Sequence, residues 1–566
     1  MGTGDIRQKT LMMSERVHDV VIIGAGVAGA LVAYRLAASG LDVALIEAGP
    51  ATDTESRMNR VEKFITASSK IPNSPYADPI ADKHAPVPLV TDAPEEGHYL
   101  QTTPETPFKS TYQRLSGGST WHWLGNTPRF LRSDFNLRSE FGISEDWPIN
   151  YDDLERWYGE AEVELGVAGD GAEWNDLHGT ERSTDFPMPP IWPAYGDHIV
   201  KNSINGQIVD GSEIRMRITP QARNSIPYQG RPPCAGNSSC VPICPIAAKY
   251  DATVHVKLAQ EKGSTFIPRC VAQKLEADSE GRVQSVQCRR WHKDGTYSSL
   301  TVKGHRVVLA AHAVESPLLL MISGLASKSP VGGYLMDHLQ GYGLAVMPQP
   351  VYPFRGPPVT SGIDVFRDGP FRNERAAYRI SIGNDGWGRE ETPATSIKNL
   401  MDAGYRGREL RLKASDRLTR LLRMSYSTEM LPEAKNRVTL DGVDSLSNPR
   451  PAMSFSLPEY NIRGFEHAKM VMGEMFKRMK VEEMRFSYPR KAYSGAGHIM
   501  GTCRMGHNPE KSVTDSDCRV HNHPNLFIAG ASLFTTGGTA NPTLTVAALA
   551  LRLANYLSNQ SKAEAV

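Results

Sequence analysis

The sequence predicts an α/β protein built on a Rossmann-like dinucleotide-binding domain, and three consecutive segments near its beginning carry this prediction. Residues 19–23 read DVVII, a short apolar run typical of a buried strand. Residues 24–30 read GAGVAGA and precede VAYRLAASG, whose apolar spacing favours a helix. A second apolar run, DVALIEAG, begins at residue 42. Strand, glycine turn, helix and strand in this order form a βαβ unit.

The glycine turn predicts a binding loop for a pyrophosphate. Gly24 allows the tight turn, Gly26 lets the backbone approach the phosphates, and Gly29 lets the helix pack closely on the strand. The start of the helix offers free N–H groups to the phosphates. Glu47 ends the second strand about twenty residues later, where its carboxylate can accept from ribose hydroxyls. An acid there argues against a 2′-phosphate, but the unit does not distinguish NAD from FAD.

Length and composition limit the classes of protein to which this chain can belong. A chain of 566 residues is long enough for two or more domains. The hydrophobic fraction of 40% and charged fraction of 22% are typical of a globular protein with a large core. The net charge of +1, without a basic face, argues against a nucleic-acid partner. No apolar run predicts a transmembrane helix. Residues 1–19 lack the apolar core of a secretory signal, which favours the cytoplasm unless a partner carries the chain across a membrane.

The later elements are predicted from periodicity and composition. Residues 50–110 and 185–235 are rich in Pro and polar residues and predict loops. Residues 151–166 predict an amphipathic helix, and residues 264–311 predict strands. Near the end, the segment NLFIAG predicts a strand and LTVAALALRLANYL a helix. Because cofactor-type motifs lie at both ends of the chain, we expect a binding domain assembled from separated segments, with a second domain inserted.

Seven cysteines are too few, and odd in number, for a disulfide scaffold, but three crowd into one segment. Their spacing is Cys234-x5-Cys240-x3-Cys244, followed by a proline. Thiolates suit iron–sulfur clusters, and three of them fit a [3Fe–4S] cluster. Two alternatives stay open. One is a zinc site, although the paired CxxC spacing is missing. The other is a set of free thiols that pack as small hydrophobes.

Four segments resemble the GMC (glucose–methanol–choline) flavoprotein oxidoreductases. They read LSGGSTWHWLGNTPRF at 115–130, LAAHAVESPL at 309–318, GHIMGTCRMG at 497–506 and GGTANPTLT at 537–545. The resemblance implies FAD as the cofactor and a substrate domain on a mostly antiparallel sheet. It suggests three regions: an FAD-binding domain of residues 15–135, 250–335 and 495–566, an irregular segment with the cysteines at 136–249, and a substrate domain at 336–494.

The resemblance also assigns site residues. His498 matches the family's catalytic histidine and Asn541 its partner. The histidine would take the hydroxyl proton while the hydride passes to flavin N5, and the amide would hold the substrate oxygen. His312 and His507 lack such support and are predicted to be structural. Further FAD contacts are implied at Gly117, Gly118, Gly530, Pro542 and Thr543.

His122 has a role of its own in the resemblance. The matching histidine of pyranose oxidases is bonded to the flavin 8α carbon, which makes the flavin a stronger oxidant. We expect the same bond here. The alternative is that His122 only packs against the dimethylbenzene ring of the flavin.

Two branches of the family match best. The C-terminal segments resemble pyranose oxidases, whereas residues 221–251 resemble the catalytic subunits of bacterial membrane-linked sugar dehydrogenases. Those subunits carry a [3Fe–4S] cluster, and many have a second cysteine where this chain has Ala235. A cluster implies an outside acceptor, a cytochrome c or a quinone. It also implies a small partner subunit, whose twin-arginine signal would carry this chain to the periplasm.

The combined pattern predicts an FAD-dependent dehydrogenase that oxidises a ring hydroxyl of a sugar or glycoside. The mixture of branches favours C3 of a pyranoside. The alternatives are oxidation at the anomeric carbon, as in a glucose 1-dehydrogenase, and an oxygen-using pyranose oxidase. A non-catalytic flavoprotein is a further alternative from another class, and His498 with Asn541 argues against it.

Overall fold

Residues of both halves of the chain build the sheets of this protein. The computed structural model describes residues 16–52, 54–66, 101–102, 108–110, 112–175, 177, 180–238, 240–241, 243–388, 391–444, 447–487 and 493–564. Its helices are α1 Val27–Ala38, α2 Thr54–Thr66, α3 Leu137–Phe141, α4 Tyr151–Leu165, α5 Gly171–Asn175, α6 Tyr195–Ile204, α7 Thr253–Glu261, α8 His312–Ser323, α9 Pro393–Asp402, α10 Gly407–Thr419, α11 Glu459–Arg478 and α12 Thr543–Glu564.

The strands alternate with these helices. They are β1 Val17–Ile23, β2 Val43–Ile46, β3 Gln101–Thr102, β4 Phe108–Lys109, β5 Ile208–Val209, β6 Ser212–Glu213, β7 Met216–Ile218, β8 Thr265–Ile267, β9 Cys270–Ala277, β10 Val283–Trp291, β11 Tyr297–Leu309, β12 Leu339–Val346, β13 Val359–Ile363, β14 Tyr378–Gly383, β15 Leu421–Thr428, β16 Arg437–Val443, β17 Pro449–Ser454, β18 Glu483–Ser487, β19 Tyr493–Ser494 and β20 Leu526–Ile528.

The first sheet confirms the predicted βαβ unit and the strands of residues 264–311. Its order is β8-β2-β1-β11-β10-β9, with β20 on the free side of β11. The pairs around β1 are parallel, and those of β10 are antiparallel. Strand β11 belongs to both the parallel and the antiparallel part of this sheet. Its burial alternates where it pairs with β10 and becomes continuous over residues 306–309, as a strand covered on both faces requires.

The second sheet is antiparallel throughout, as the family resemblance implied. Its order is β18-β12-β15-β14-β13-β7. Helix α11 packs on one face of it, where Phe465 lies 4.8 Å from Tyr426 between ring centroids. One strand, β7, comes from the segment 136–249 that we described as irregular. The division of the chain into domains stays a prediction.

The two terminal regions meet in the core. Helix α12 is buried along residues 544–557 and packs against α1 and α4. The predicted amphipathic helix is α4, and Asn150 begins it with a capping box. The Asn150 side chain accepts from Asp153 N at 3.1 Å, and Asp153 accepts from Asn150 N at 2.8 Å. In the described part of the chain, no helix combines the length and apolarity needed to cross a membrane.

Two loop predictions were wrong in part. Residues 54–66 form α2 inside the segment 50–110, while residues 67–100 lie outside the described residues. Helix α6 and three short strands lie inside the segment 185–235. In both places the polar and Pro-rich composition hid short elements, because propensity is a weak guide when packing against the core decides.

Candidate active site

Four strand ends meet at one edge of the first sheet. Strands β2, β1, β11 and β20 end beside one another at Ile46, Ile23, Leu309 and Ile528. Gly24, Glu47 and Gly530 follow within two residues of these ends. In open α/β sheets, dinucleotides bind at the carboxyl edge of the strands. The structure therefore brings these three predicted cofactor residues to one place.

The glycine loop is tightly packed on one side and open on the other. A Cβ on Gly24, whose φ is +106°, would lie 2.4 Å from Ala310 O. A Cβ on Gly29 would lie 1.9 Å from Gly24 O, whereas nothing lies within 4 Å of the same position on Gly26. No side chain caps α1 at Gly26, so the first N–H groups of the helix are available to phosphates. The loop fits the pyrophosphate of a dinucleotide.

Glu47 lies over this loop. Its carboxylate accepts from Gly49 N and from Ala25 N, each at 2.8 Å. Burial raises the pKa of Glu47 above its ordinary value, and the two backbone hydrogen bonds oppose that rise. Both carboxylate oxygens of Glu47 therefore hold the backbone of the glycine loop and of the turn after β2.

The second glycine segment lies against the first. Gly117 N donates to Ala25 O at 2.9 Å, and a Cβ on Gly118 would lie 3.2 Å from Gly26 Cα. A 3₁₀ turn over Gly118–Trp121 then leads to His122. The charge of His122 contributes to lowering the pKa of His312, after burial, to about 3, so the two imidazoles are neighbours. The ring of His312 also stacks on Tyr112 at 4.4 Å. His507, in contrast, is exposed.

His498 and Asn541 are brought together from segments 43 residues apart. Asn541 Nδ2 lies 3.1 Å from His498 Nε2. On the other side of the ring, His498 Nδ1 lies 2.8 Å from Nδ1 of His338. Nε2 of His338 lies 3.0 Å from Gly538 O and 3.2 Å from Gly537 O. The predicted catalytic pair is therefore part of a chain of three side chains that ends on the 537–538 backbone.

The hydrogen-bond partners fix the proton positions in this chain. Backbone carbonyls only accept, so His338 carries its proton on Nε2 and its Nδ1 accepts. His498 must then donate from Nδ1, which leaves Nε2 as the acceptor for Asn541. Burial, with a smaller contribution from His338, lowers the pKa of His498 well below its ordinary value. Burial likewise lowers the pKa of His338 to about 4. Both imidazoles are neutral at pH 7.

Asp337 holds the backbone around the histidine. Its carboxylate accepts from His498 N at 2.9 Å and from Ala496 N at 3.2 Å, and Ser110 Oγ donates to it at 2.6 Å. On the other side of the site, Asn541 and Pro542 immediately precede α12, which begins at Thr543. The start of α12 therefore lies at the catalytic pair, where Pro542 and Thr543 were predicted to contact FAD.

The three cysteines lie beside the second glycine segment. Cys240 and Cys244 are buried, Cys234 is half-buried, and all three are free thiols. Ile243, between them in sequence, packs in a cluster with Trp121. Burial raises the pKa of Cys240, and the charges of the other two cysteines add to that rise. Among the described residues, however, no three His, Cys, Asp or Glu side chains converge as a metal-binding group.

Two buried cations face these cysteines. Lys249 Nζ donates to the carbonyl oxygens of Trp121 at 2.9 Å, Trp123 at 2.6 Å and Cys240 at 2.8 Å. Burial lowers the pKa of Lys249 to about 8, although Cys240 and nearby acids oppose the change. Arg223 pairs with Lys249 in a β-bridge and is 1% exposed. Among the described residues, its Nε and Nη1 have no hydrogen-bond partner.

Sequence reasoning assigned no role to His338, Lys249 or Arg223. His338 ends the segment LMDH at residues 335–338, directly before β12. Lys249 follows the cysteine segment by five residues, and Arg223 precedes it. Buried cations near a cluster of thiols were the available signal, but burial of a Lys or Arg is not readable from sequence.

Comparison with known proteins agrees with this geometry. Models of the GMC oxidoreductase family match residues 213–340 and 432–550, and a model of FAD-dependent oxidoreductases matches residues 19–61. The fructose dehydrogenase large subunit of Gluconobacter japonicus is 33% identical over 559 residues, which cover 96% of this chain and 98% of that protein. The 6'''-hydroxyparomomycin C oxidase of Streptomyces lividus is 27% identical, over 97% of this chain and 93% of that protein.

Solved structures show the same fold. The formate oxidase of Aspergillus oryzae superposes with a TM-score of 0.64 at 16% identity, over 96% of this chain and 98% of that one. Fold and site together define an FAD-dependent oxidoreductase. The chain belongs to the GMC oxidoreductase family.

Proposed function

We propose that this protein is a dehydrogenase that oxidises a ring hydroxyl of a sugar or glycoside, favouring C3 of a pyranoside. The observation that carries the proposal is the His338–His498–Asn541 chain, which presents a neutral histidine nitrogen and an amide donor to one point. The similarity to a fructose dehydrogenase subunit over almost the whole chain supports a sugar as the substrate. The choice of C3 rests on the mixture of family motifs alone.

The residues of the chain supply the proton chemistry. FAD, when bound, accepts the hydride at N5. His498 Nε2 accepts the hydroxyl proton, and Asn541 Nδ2, which now donates to that nitrogen, can donate to the substrate oxygen instead. His498 keeps its donation from Nδ1 to His338 in both states, so no tautomer change is needed. The buried imidazole disfavours its charged form and therefore gives the proton up readily.

Methyl α-glucoside tests the choice of carbon, because its anomeric hydroxyl is blocked. We expect it to bleach the bound flavin under anaerobic conditions, with a 3-keto product. Turnover of free glucose without turnover of the methyl glucoside would identify a glucose 1-dehydrogenase. Peroxide formed in step with sugar consumption would identify an oxygen-using oxidase, as the Streptomyces relative is named. A flavin that no sugar in a broad panel bleaches would contradict the proposal.

We also propose that Cys234, Cys240 and Cys244 hold a [3Fe–4S] cluster. Three thiols supply the ligands, and the buried side chains of Lys249 and Arg223 supply positive charge for an anionic cluster. The sulfurs must draw closer together than they lie here, because they do not yet form a ligand group. A cluster would pass electrons singly to an outside acceptor. An EPR spectrum of the oxidised protein without a [3Fe–4S] signal, with no iron by metal analysis, would leave the thiols as packing groups.

The remaining proposals concern attachment and partners. We propose a bond between His122 and the flavin 8α carbon. Acid precipitation should then leave the pellet yellow, whereas complete release of the colour would contradict the bond. The name of the Gluconobacter relative as a large subunit supports a complex with a small partner subunit. We propose that such a partner brings the chain to the periplasm and that a cytochrome c or a quinone accepts the electrons.

A further inference from the structure

The segment over residues 537–541 carries groups on both sides of the catalytic histidines. The carbonyl oxygens of its first two residues accept from Nε2 of His338, and Asn541 Nδ2 lies 3.1 Å from His498 Nε2. Gly538 has a φ of +52°, a backbone conformation that glycine adopts without strain. A small movement of this one segment would therefore change the surroundings of both histidines.

A buried arginine holds this segment from the side of the second sheet. Arg367 lies in the turn that follows β13, and its side chain is fully buried. Its Nε donates to Thr539 Oγ1 at 2.8 Å, and its Nη2 donates to the carbonyl oxygen of Arg129 at 2.8 Å. Nη1 donates to Asp364 Oδ1 at 3.4 Å. All three nitrogens of the guanidinium group therefore have a partner, and one partner, Thr539, lies two residues before Asn541.

The charge of Arg367 is paired through Asp364 rather than through Thr539. Asp364 Oδ1 also accepts from Arg379 Nε at 2.9 Å. Arg379 in turn donates from Nη2 to Thr219 Oγ1 at 2.8 Å. Both threonines are buried, so this network contains two hydrogen bonds of the same kind and length. Of the two threonines, Thr539 alone lies in the segment 537–541.

A second buried group contacts the same segment. A Cβ on Gly538 would lie 2.8 Å from Asp134 Oδ2, and Thr536 Oγ1 donates to Asp134 O at 2.9 Å. The carboxylate of Asp134 is itself held by Arg372 Nη2 at 2.9 Å. Residues 536–539 thus contact two buried ionic groups, and these contacts leave the backbone little freedom to shift.

The same arginine affects the protonation of His338. Burial lowers the pKa of His338 to about 4, and the charge of Arg367 adds to that lowering. The carbonyls of residues 537–538 and the charge of Glu429 oppose it. The buried cation therefore favours the neutral form of His338, whose Nδ1 can accept from His498.

We infer that Arg367 is a positioning residue of the active site. Through Thr539 it holds the segment 537–541, and it thereby fixes the tautomer of His338 and the place of Asn541. Because Arg367 follows β13, the contact also ties the second sheet to the catalytic pair. The inference rests on the proposed function only in the role that it gives to that pair.

Substitution of Thr539 tests the contact with little change of shape. Thr539→Val removes the hydroxyl that accepts from Arg367, and Thr219→Val removes the matching hydroxyl that accepts from Arg379. Flavin reduction by methyl α-glucoside is followed anaerobically by stopped-flow. In Thr539→Val we expect the limiting rate to fall about tenfold with an apparent Kd near that of the wild type, because misplaced groups slow the chemical step. Thr219→Val should keep the wild-type rate, and Thr539→Ser, which retains the hydroxyl, should keep most of it.

Nitrogen NMR gives a second readout that needs no substrate. In protein labelled with ¹⁵N-histidine at pH 7, each neutral ring has one protonated and one unprotonated nitrogen. The signals of His338 are those missing from His338→Phe. We expect the proton on Nε2 in the wild type and in Thr219→Val. In Thr539→Val we expect a mixture of both tautomers, because the acceptor carbonyls are no longer held in place.

Arg367→Lys tests the same contact from the other side. Lysine keeps the buried charge but lacks the planar group that meets Thr539, Asp364 and the Arg129 carbonyl together. We expect the lower rate and the mixed tautomers of Thr539→Val. Flavin content and circular dichroism establish which variants fold, and Arg367→Lys replaces Thr539→Val in the comparison if the latter does not.

The outcomes separate the inference from the proposed function. A wild type that no sugar reduces overturns the proposed function, and the nitrogen signals of His338 then decide the inference alone. Identical His338 signals and identical rates in Thr539→Val and Thr219→Val overturn the inference. A lower thermal midpoint in both valine variants, with no difference at His338, would likewise show that Thr539 only stabilises the fold.

Discussion

At the scale of single residues, His498 has a hydrogen-bond partner at each ring nitrogen. One partner lies on the side where the substrate is expected, and the other fixes the orientation of the ring. Asn541 meets Nε2, where the substrate proton is expected to arrive. His338 meets Nδ1 and is itself fixed by the carbonyls of residues 537–538. His338 acts on the reaction through His498, so we assign it a positioning role. A histidine without such an orienting partner could present either tautomer to the substrate.

Replacing His338 tests that role through the pH profile. A base acts only when unprotonated, so flavin reduction should fall as the pH drops through the pKa of His498. Because that pKa is lowered by burial and by His338, the acid limb in the wild type should lie below pH 6.5. In His338→Phe we expect the acid limb to move, because Nδ1 of His498 loses its hydrogen-bond acceptor, and the limiting rate to fall about tenfold or more. His507→Asn, at an exposed position, is the control. An unchanged limb in His338→Phe would show that the contact is only structural.

A substitution of Lys249, also at the scale of single residues, tests the proposed cluster. Its ammonium group donates to the carbonyls of Trp121, Trp123 and Cys240, and so links the second glycine segment to the cysteines. In Lys249→Met we expect a lower reduction potential for the [3Fe–4S] cluster, because a buried positive charge favours the reduced, more negative form. Redox titration followed by EPR measures the potential. Lys257→Met, on the exposed side of α7, is the control. A potential equal to that of the control would mean that Lys249 acts only as a structural link.

At the scale of elements, the turn between β1 and α1 combines two demands on glycine. Gly29 is required by packing, since a Cβ there would lie 1.9 Å from Gly24 O. Gly26 has open space around the same position. The two glycines of one motif therefore serve the fold and the ligand separately.

Alanine at each position separates these demands. Gly26→Ala should fold normally but lose FAD, because the new methyl group occupies the space that a pyrophosphate needs. Gly29→Ala should lose both stability and FAD. Flavin absorbance after gel filtration and the thermal midpoint measure the two effects. A Gly26→Ala protein that retains full flavin content would place the phosphates elsewhere.

At the scale of the whole molecule, a buried ionic network links the turn over Arg132–Phe135 to the second sheet. Arg372 donates to Asp134 Oδ1 at 2.9 Å and to Glu429 Oε2 at 2.5 Å. Tyr460 of α11 donates to Glu429 Oε1 at 2.7 Å. All four side chains are buried. Thr536 Oγ1, which accepts from Trp147 Nε1 at 2.7 Å, donates to Asp134 O at 2.9 Å, so the network also contacts the segment just before Gly537.

Removing Arg372 should be costly because two carboxylates would remain buried without their cation. We expect Arg372→Met to destabilise the protein by about 3–5 kcal/mol. Arg132→Met breaks the exposed pair with Asp152 and should cost about 0–1 kcal/mol. Thermal denaturation of the flavin-loaded proteins compares the two. Equal midpoints for both variants would show that the buried network contributes little to stability.

Local sequence patterns were sufficient to predict many of the helices and strands of this protein. The strand, glycine loop, helix and strand at 17–46 were predicted as they occur, because apolar periodicity and glycine placement are local properties. Helix α4 and the strands of 265–309 followed from the same signals. Helices α2 and α6 were not predicted from these signals. Most helical stability comes from tertiary packing, and a short stretch of sequence does not reveal that packing.

The sequence by itself determined the dinucleotide loop, the family and the candidate pair His498 and Asn541. Tertiary structure alone decided which groups surround that pair. His338 reaches His498 from 160 residues away. Contacts between distant segments depend on the whole packing of the chain, so neither composition nor spacing reveals them.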